Sequence, residues 1–355
     1  MSIVQTTYWH KLENNKIQCD LCPRFCKLSQ SQRGLCYVRG NQNDEVVLYT
    51  YGRSSGFCVD PIEKKPLNHF FPGSAVLSFG TAGCNLSCKF CQNWDISKSR
   101  QMDTLQSEAS PLEIVNAAIE YQCQSIAFTY NDPVIFLEYA KDVALEARAK
   151  NIKTVAVTAG YISDAAREEF FSFIDAANVD LKSFSEVFYQ QMTSAHLRPV
   201  LDSLVYLVTK TSVWTEITTL LIPGMNDSES EITKMCQWIR EYLGDSVPLH
   251  FSAFHPDYKL RNVRPTSPYD LNQARQIALS CGLKFVYTGN VHDKNGSSTY
   301  CPKCKNILIG RDWFSLSDWN LGDSGQCKYC QYKVPGHFAK TPGTWKGKSR
   351  AISLN

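Results

Sequence analysis

The chain has 355 residues and a net charge of only +3 from 37 Lys+Arg and 34 Asp+Glu. So weak a positive balance gives no independent case for nucleic-acid binding, although it does not exclude it. The sequence has no run of ~18 apolar residues to span a membrane and no basic start followed by an apolar stretch to serve as a signal peptide, so a cytoplasmic location is expected.

Fifteen cysteines are present. Eleven fall in three clusters: Cys19, Cys22, Cys26, Cys36; Cys84, Cys88, Cys91; and Cys301, Cys304, Cys327, Cys330. Cys58, Cys123, Cys236 and Cys281 are scattered and read as inert thiols. A disulfide scaffold suits small secreted chains. A long chain with C-x2-C pairs points instead to metal binding in a reducing compartment.

In chain order, residues 1–74 read as a Cys-rich metal-binding head followed by an irregular connector, 51–74, rich in Gly and Pro. Its Arg24, Arg33 and Arg39 read as a solvated basic face. From Ala75 short apolar runs alternate with helical stretches. The strand candidates are 75–79, Ser125–Thr129, Lys153–Val157, Ala177–Leu181, Val213–Leu221 and Leu249–Ala253. The helix candidates are Pro111–Tyr121 with Ser110 as N-cap, Val134–Ala149, Ser163–Phe171, Pro199–Lys210, Asp227–Tyr242 and Asp270–Cys281. This alternation predicts an α/β fold, a partial (β/α)6 TIM-like barrel over residues 75–290, with Phe285–Tyr287 as an added edge strand. Residues 291–355 form a second Cys-rich piece with a polar tail, Thr344–Asn355.

The middle cluster carries the most information. Cys84, Cys88 and Cys91, spaced C-x3-C-x2-C, sit on a loop after the first strand. Three thiolates hold three irons of a [4Fe-4S] cluster and leave the fourth open, a vacancy suited to chelation by S-adenosylmethionine (SAM). A zinc site short of one ligand, or three buried apolar thiols, are the competing accounts. In barrels reactive groups gather at the C-terminal ends of strands. There the sequence offers Thr129-Tyr130-Asn131-Asp132-Pro133, Thr158-Ala159-Gly160, Asp180-Leu181-Lys182 and Phe254-His255, with Glu216 inside the fifth strand.

These motifs resemble the radical SAM superfamily, particularly enzymes similar to pyruvate formate-lyase activating enzyme. The run Cys19-Asp-Leu-Cys22-Pro-Arg-Phe-Cys26 with Gly34-Leu-Cys36, the core run ending Cys91-Gln92-Asn93-Trp94, and Gly289-Asn-Val-His-Asp293 before Cys301 resemble the branch called the AmmeMemoRadiSam system radical SAM enzyme. The resemblance implies reductive cleavage of SAM to a 5′-deoxyadenosyl radical that abstracts hydrogen from a substrate. It implies that Asn131 and Asp132 stand where the superfamily binds the SAM amino group, that Lys182 of Asp180-Leu-Lys182 reaches the SAM carboxylate, and that His255 meets the ribose. Thr158-Ala159-Gly160 departs from the Thr-Asn-Gly of activating enzymes. Flavodoxin or ferredoxin is the implied electron donor, and Memo-type and AMMECR-type proteins the implied partners.

In the tail, Cys301-x2-Cys304 and Cys327-x2-Cys330 form a zinc-ribbon-like pair of knuckles, with rubredoxin-like iron as the alternative. In the head, C-x2-C-x3-C-x9-C suits zinc or a second iron–sulfur cluster; zinc is the reading carried forward. The substrate stays open between a partner enzyme receiving a glycyl radical and a peptide, RNA base or metabolite. A metal-stabilised binding protein that has lost chemistry is the alternative of another class.

Overall fold

The computed structural model describes residues 3–13, 15–98, 105, 107–345 and 349–354. Residues 1–2 of the head, and residues 346–348 and 355 of the polar tail, lie outside the described residues.

The predicted strands are buried almost throughout, as strands covered on both faces are. They are β2 (Ala75–Phe79), β3 (Ser125–Phe128), β4 (Lys153–Thr158), β5 (Ala176–Asp180), β6 (Trp214–Leu221) and β7 (Leu249–Ala253), each within two residues of expectation. The edge strand is also present, as β8 (Val286–Gly289), parallel to β7. All seven run parallel in chain order. Two antiparallel strands extend the other edge. β1 (Phe57–Pro61) pairs with β2, and β11 (Arg350–Ile352) pairs with β1. Among the described residues the sheet therefore has nine strands and does not close on itself, an open partial barrel.

The helices between the strands are α1 (Pro111–Glu120), α2 (Leu137–Ala149), α3 (Asp164–Ser172), α4 (Leu197–Lys210), α5 (Glu229–Tyr242) and α6 (Pro268–Ser280). Their starts are encoded locally. Ser110 and Glu113 form a capping box with Pro111 at the first helical position, and Ser267 with Asp270 repeats the device for α6.

Two expectations are corrected. The stretch 51–74 is no mere connector: it supplies β1, and then Ile62, Leu67 and Phe70 pack against Val76, Ala127, Val155 and Ala176. These apolar side chains plug the end of the barrel where the strands begin. The polar tail also supplies a strand, because the open edge of β1 leaves backbone groups that need partners.

The head folds as two small antiparallel sheets. Its Ile17, Leu21, Leu28, Val38, Val46 and Leu48 share one buried core with the barrel helices. Polar staples add to this: Ser163 N–H donates to the Leu21 carbonyl at 3.1 Å, and the Arg39 guanidinium reaches the Ile135 carbonyl at 2.8 Å and Glu138. The tail contributes a hairpin, β9 (Ile307–Asp312) and β10 (Ser315–Trp319). It packs on Phe285 and Tyr287 at the start of β8.

Candidate cluster and cofactor site

The loop 80–92 leaves the C-terminal end of β2. Gly80 lets it approach β3: a Cβ there would stand 2.2 Å from the Thr129 carbonyl oxygen. Asn131 then fixes the loop. Its Oδ1 accepts from Thr81 N–H at 3.2 Å, and its Nδ2 donates to the Thr81 hydroxyl, the Ala82 carbonyl and the Gly83 carbonyl at 3.2, 3.3 and 2.9 Å. Farther along, Ser87 N–H and Lys89 N–H donate to the Thr193 and Met192 carbonyls, and Arg24 Nε donates to the Asn85 carbonyl at 2.7 Å.

This scaffold holds Cys84, Cys88 and Cys91. Cys88 is buried, and burial pushes its thiol up to about 12. Burial raises Cys84 as well, against the opposing pull of Lys98. Metal ligation needs the thiolate, so a metal bound here would displace these protons. Among the described residues, no group of three or more thiols other than the tail's lies mutually within 4.8 Å. Cys84, Cys88 and Cys91 are thus not gathered as tightly as the ligands of one ion, which agrees with thiolates that each serve a different iron.

Other predicted residues gather around the same end. Asp132 is buried. Its Oδ1 accepts from Val134 N–H at 3.1 Å and Thr158 Oγ1 at 2.9 Å, and its Oδ2 from Ala159 N–H at 3.2 Å. Burial nevertheless pushes its carboxyl up to about 6, with these hydrogen bonds and Lys182 acting against the rise. Asn131 and Asp132 thus tie together the ends of β2, β3 and β4. Lys182 Nζ lies 2.8 Å from Asp180 Oδ2. Burial opposes the lysine's charge, but Asp180 and the nearby Cys88 sulfur outweigh it and raise its pKa. His255 follows β7 and is exposed.

Glu216 lies at the opposite end. Buried near the start of β6, it accepts from Asn68 N–H (3.0 Å), His69 N–H (2.8 Å) and Trp214 Nε1 (2.9 Å), with His250 Nε2 at 2.7 Å. This network secures the plug, as polar groups at the N-terminal face of a barrel commonly do.

Motif reading missed the short helix Trp94–Ser97 after the third cysteine. Ser97 Oγ stands 2.9 Å from Cys91 Sγ, and Lys98 Nζ donates to the Leu86 carbonyl. Trp94 stacks on Tyr258 at 5.6 Å and donates to Asp257. The signal available was C-x2-C followed by a capping-type Asn93, but only folding brings Tyr258 there.

The basic head is corrected too. Arg39 is 1 % exposed, and Arg33 stacks over Tyr37 and Tyr49. Arg39 is turned inward because Glu138 and the Ile135 carbonyl compensate its buried charge. In the tail, Cys301, Cys304, Cys327 and Cys330 bring their Sγ atoms mutually within 4.8 Å, with 3.5 Å for Cys301–Cys330 and 3.6 Å for Cys304–Cys327. Tetrahedral ligands 2.3 Å from one ion are ~3.8 Å apart, so the tail fits a single metal ion.

Residues 79–236, which run from the end of β2 into α5 and contain Cys84, Cys88 and Cys91, match the Radical SAM superfamily. An uncharacterized protein of Methanocaldococcus jannaschii is 39 % identical over 331 residues, 93 % of this chain and 98 % of that protein. The chain belongs to the radical SAM superfamily. Radical SAM membership implies a [4Fe-4S] cluster and SAM. The chain is also similar to the 4-hydroxyphenylacetate decarboxylase activating enzyme of Clostridioides difficile, 21 % identical over 47 % of this chain and 55 % of that enzyme. In fold, this radical SAM protein is similar to a radical SAM methyltransferase from Sphaerobacter thermophilus (TM-score 0.50, 15 % identity, 62 % of this chain and 67 % of that one). Among the described residues no helix is long and apolar enough to cross a membrane.

Proposed function

We propose that this radical SAM enzyme acts by hydrogen-atom abstraction on a macromolecular substrate, with Cys84, Cys88 and Cys91 as the cluster ligands. The reading is carried by one observation: these thiols, on the loop after β2, share the C-terminal end of the barrel with the Asp180–Lys182 pair at the end of β5. When bound, the cluster supplies the electron that cleaves SAM to methionine and a 5′-deoxyadenosyl radical. Lys182 offers the SAM carboxylate an ammonium, held by Asp180 at 2.8 Å. Asn131 and Asp132, whose side chains are bonded within the protein, order the loop and the strand ends beneath the SAM amino group. His255 stands at the rim, where it would meet the ribose. Phe90, 4 % exposed between Cys88 and Cys91, limits water on the side of the buried Cys88.

Two terminal metal modules, the tail's taken as zinc, add surface around a barrel that already contains the reactive groups, which favours a large substrate. Similarity to an activating enzyme supports a second reading, installation of a glycyl radical on a partner enzyme. Membership of the AmmeMemoRadiSam branch, with flavodoxin or ferredoxin as reductant and Memo-type and AMMECR-type partners, belongs to the same proposal. The test is anaerobic: protein, SAM and dithionite, assayed for 5′-deoxyadenosine. Product is expected from the native chain and not from Cys84→Ala, Cys88→Ala or Cys91→Ala. Undiminished product from these variants would end the proposal.

A further inference from the structure

Cys19, Cys22, Cys26 and Cys36 all line one small cavity of about 20 Å³ in the head. We propose that this cavity holds a second iron–sulfur cluster, of the four-iron kind, and not zinc. The cavity is lined by head residues together with Asn85 and Ile135 of the barrel, and its four thiols are a separate set from Cys84, Cys88 and Cys91.

Sulfur spacing favours the cluster over zinc. A zinc ion lies about 2.3 Å from each of its sulfurs. Four sulfurs that close leave no room at their centre for a water-sized sphere. The head cysteines instead line, with seven other residues, a cavity of about 20 Å³, above the roughly 10–15 Å³ that one water molecule needs. The tail shows the contrast within the same molecule: its four sulfurs lie mutually within 4.8 Å, and the head's are not gathered in that way among the described residues. Four thiolates on four different irons need the wider arrangement.

The wall chemistry agrees. Arg39 lines the cavity and is 1 % exposed. Its Nε and Nη2 are taken by Ile135 and Glu138, while its buried Nη1 has no hydrogen-bond partner. An unpaired buried guanidinium N–H is costly. An anionic cluster with sulfides as well as thiolates offers it acceptors.

The two sites are neighbours. Asn85, which follows Cys84, also lines the head cavity. Cys36 and Cys84 both line a second cavity of about 270 Å³ between head and barrel. The head cluster would therefore lie next to the SAM-binding one, separated by little more than the 83–85 backbone.

The test counts iron, acid-labile sulfide and zinc per chain in the anaerobically produced Cys84→Ala/Cys88→Ala/Cys91→Ala variant, with a Mössbauer spectrum of the same sample. About four irons, four sulfides and one tail metal are expected. Two zincs, or iron without sulfide, would overturn the proposal even if the native chain binds four irons and cleaves SAM. A second comparison keeps the test decisive if that variant does not fold. In the otherwise native chain, Cys22→Ser/Cys36→Ser should lower iron from about eight to about four. Unchanged iron content there would equally overturn it.

Discussion

Gly83 lies flush against Cys36. A Cβ at Gly83 would stand 1.9 Å from the Cys36 carbonyl oxygen, and its φ of +79° lies in the left-handed region that favours glycine. The loop bearing Cys84 is thus seated directly on the head. Gly83→Ala meets both obstacles at once, since the atom in the way is backbone and cannot swing aside. A destabilisation of about 2 kcal/mol or more is expected. It should be read from the denaturant midpoint, together with lowered iron content.

Asn131 has a comparable role from the barrel side. Its four bonds to residues 81–83 are buried, and Asn131→Ala leaves the Thr81 amide and the Gly83 carbonyl short of partners. A loss of roughly 2–3 kcal/mol follows from orphaning such groups. Iron loading should fall with it, while the far-UV circular dichroism of the barrel is kept.

Lys182→Met removes the ammonium beside Asp180 and Cys88 and keeps most of the side-chain volume. If the lysine binds the SAM carboxylate, affinity for SAM should drop roughly 10- to 100-fold, the value of one charge-assisted hydrogen bond. Equilibrium binding of SAM to the iron-loaded protein measures this. Unchanged affinity would remove Lys182 from the site.

Metal removal should act locally on the tail. Cys304→Ser opens a site whose closure holds Leu308, Ile309, Leu321 and Val334 against Phe285 and Tyr287. Binding energy of such a site is folding energy, on the order of 10 kcal/mol for structural zinc. Limited proteolysis should therefore cut after residue 299 in the variant, while iron bound by Cys84, Cys88 and Cys91 is retained.

Stability should also depend on pH through His69. Burial lowers its pKa to about 4, with Glu216 pulling the other way. Its Nδ1 lies 2.7 Å from the Pro335 carbonyl oxygen and so carries the proton, which leaves Nε2 to accept from the Tyr287 hydroxyl at 2.6 Å. The folded state keeps the ring neutral between pH 6.5 and 4, where the unfolded chain takes up a proton. Stability from this group is present above pH 6.5 and is lost as pH falls toward 4, by on the order of 3 kcal/mol. His69→Gln should flatten that slope in urea titrations run across the window.

The chemistry-bearing clusters were legible as local patterns. C-x3-C-x2-C needs only a loop after a strand, and the apolar runs and caps of the barrel fix their own elements, so the order of β2 to β8 could be read from the chain. Arg39 could not: in sequence it is one of three basic residues, and only its distance to Ile135 and Glu138 reveals a buried guanidinium. Glu216 likewise looked like a candidate for the reactive end until its partners Asn68 and His69 placed it at the other.

By itself the sequence determined a parallel α/β barrel, three thiolates suited to three irons, and two further sets of four cysteines, because spacing and periodicity are properties of neighbours in the chain. Tertiary structure alone decided which set faces which end. Burial of the head's apolar residues against the barrel helices brings Cys36 to Gly83, beside the reactive loop. Packing of the tail on Phe285 and Tyr287 brings Pro335 to His69, beneath the plugged end. Those pairs are 47 and 266 residues apart, and contacts at such separations depend on which buried faces meet rather than on any local signal.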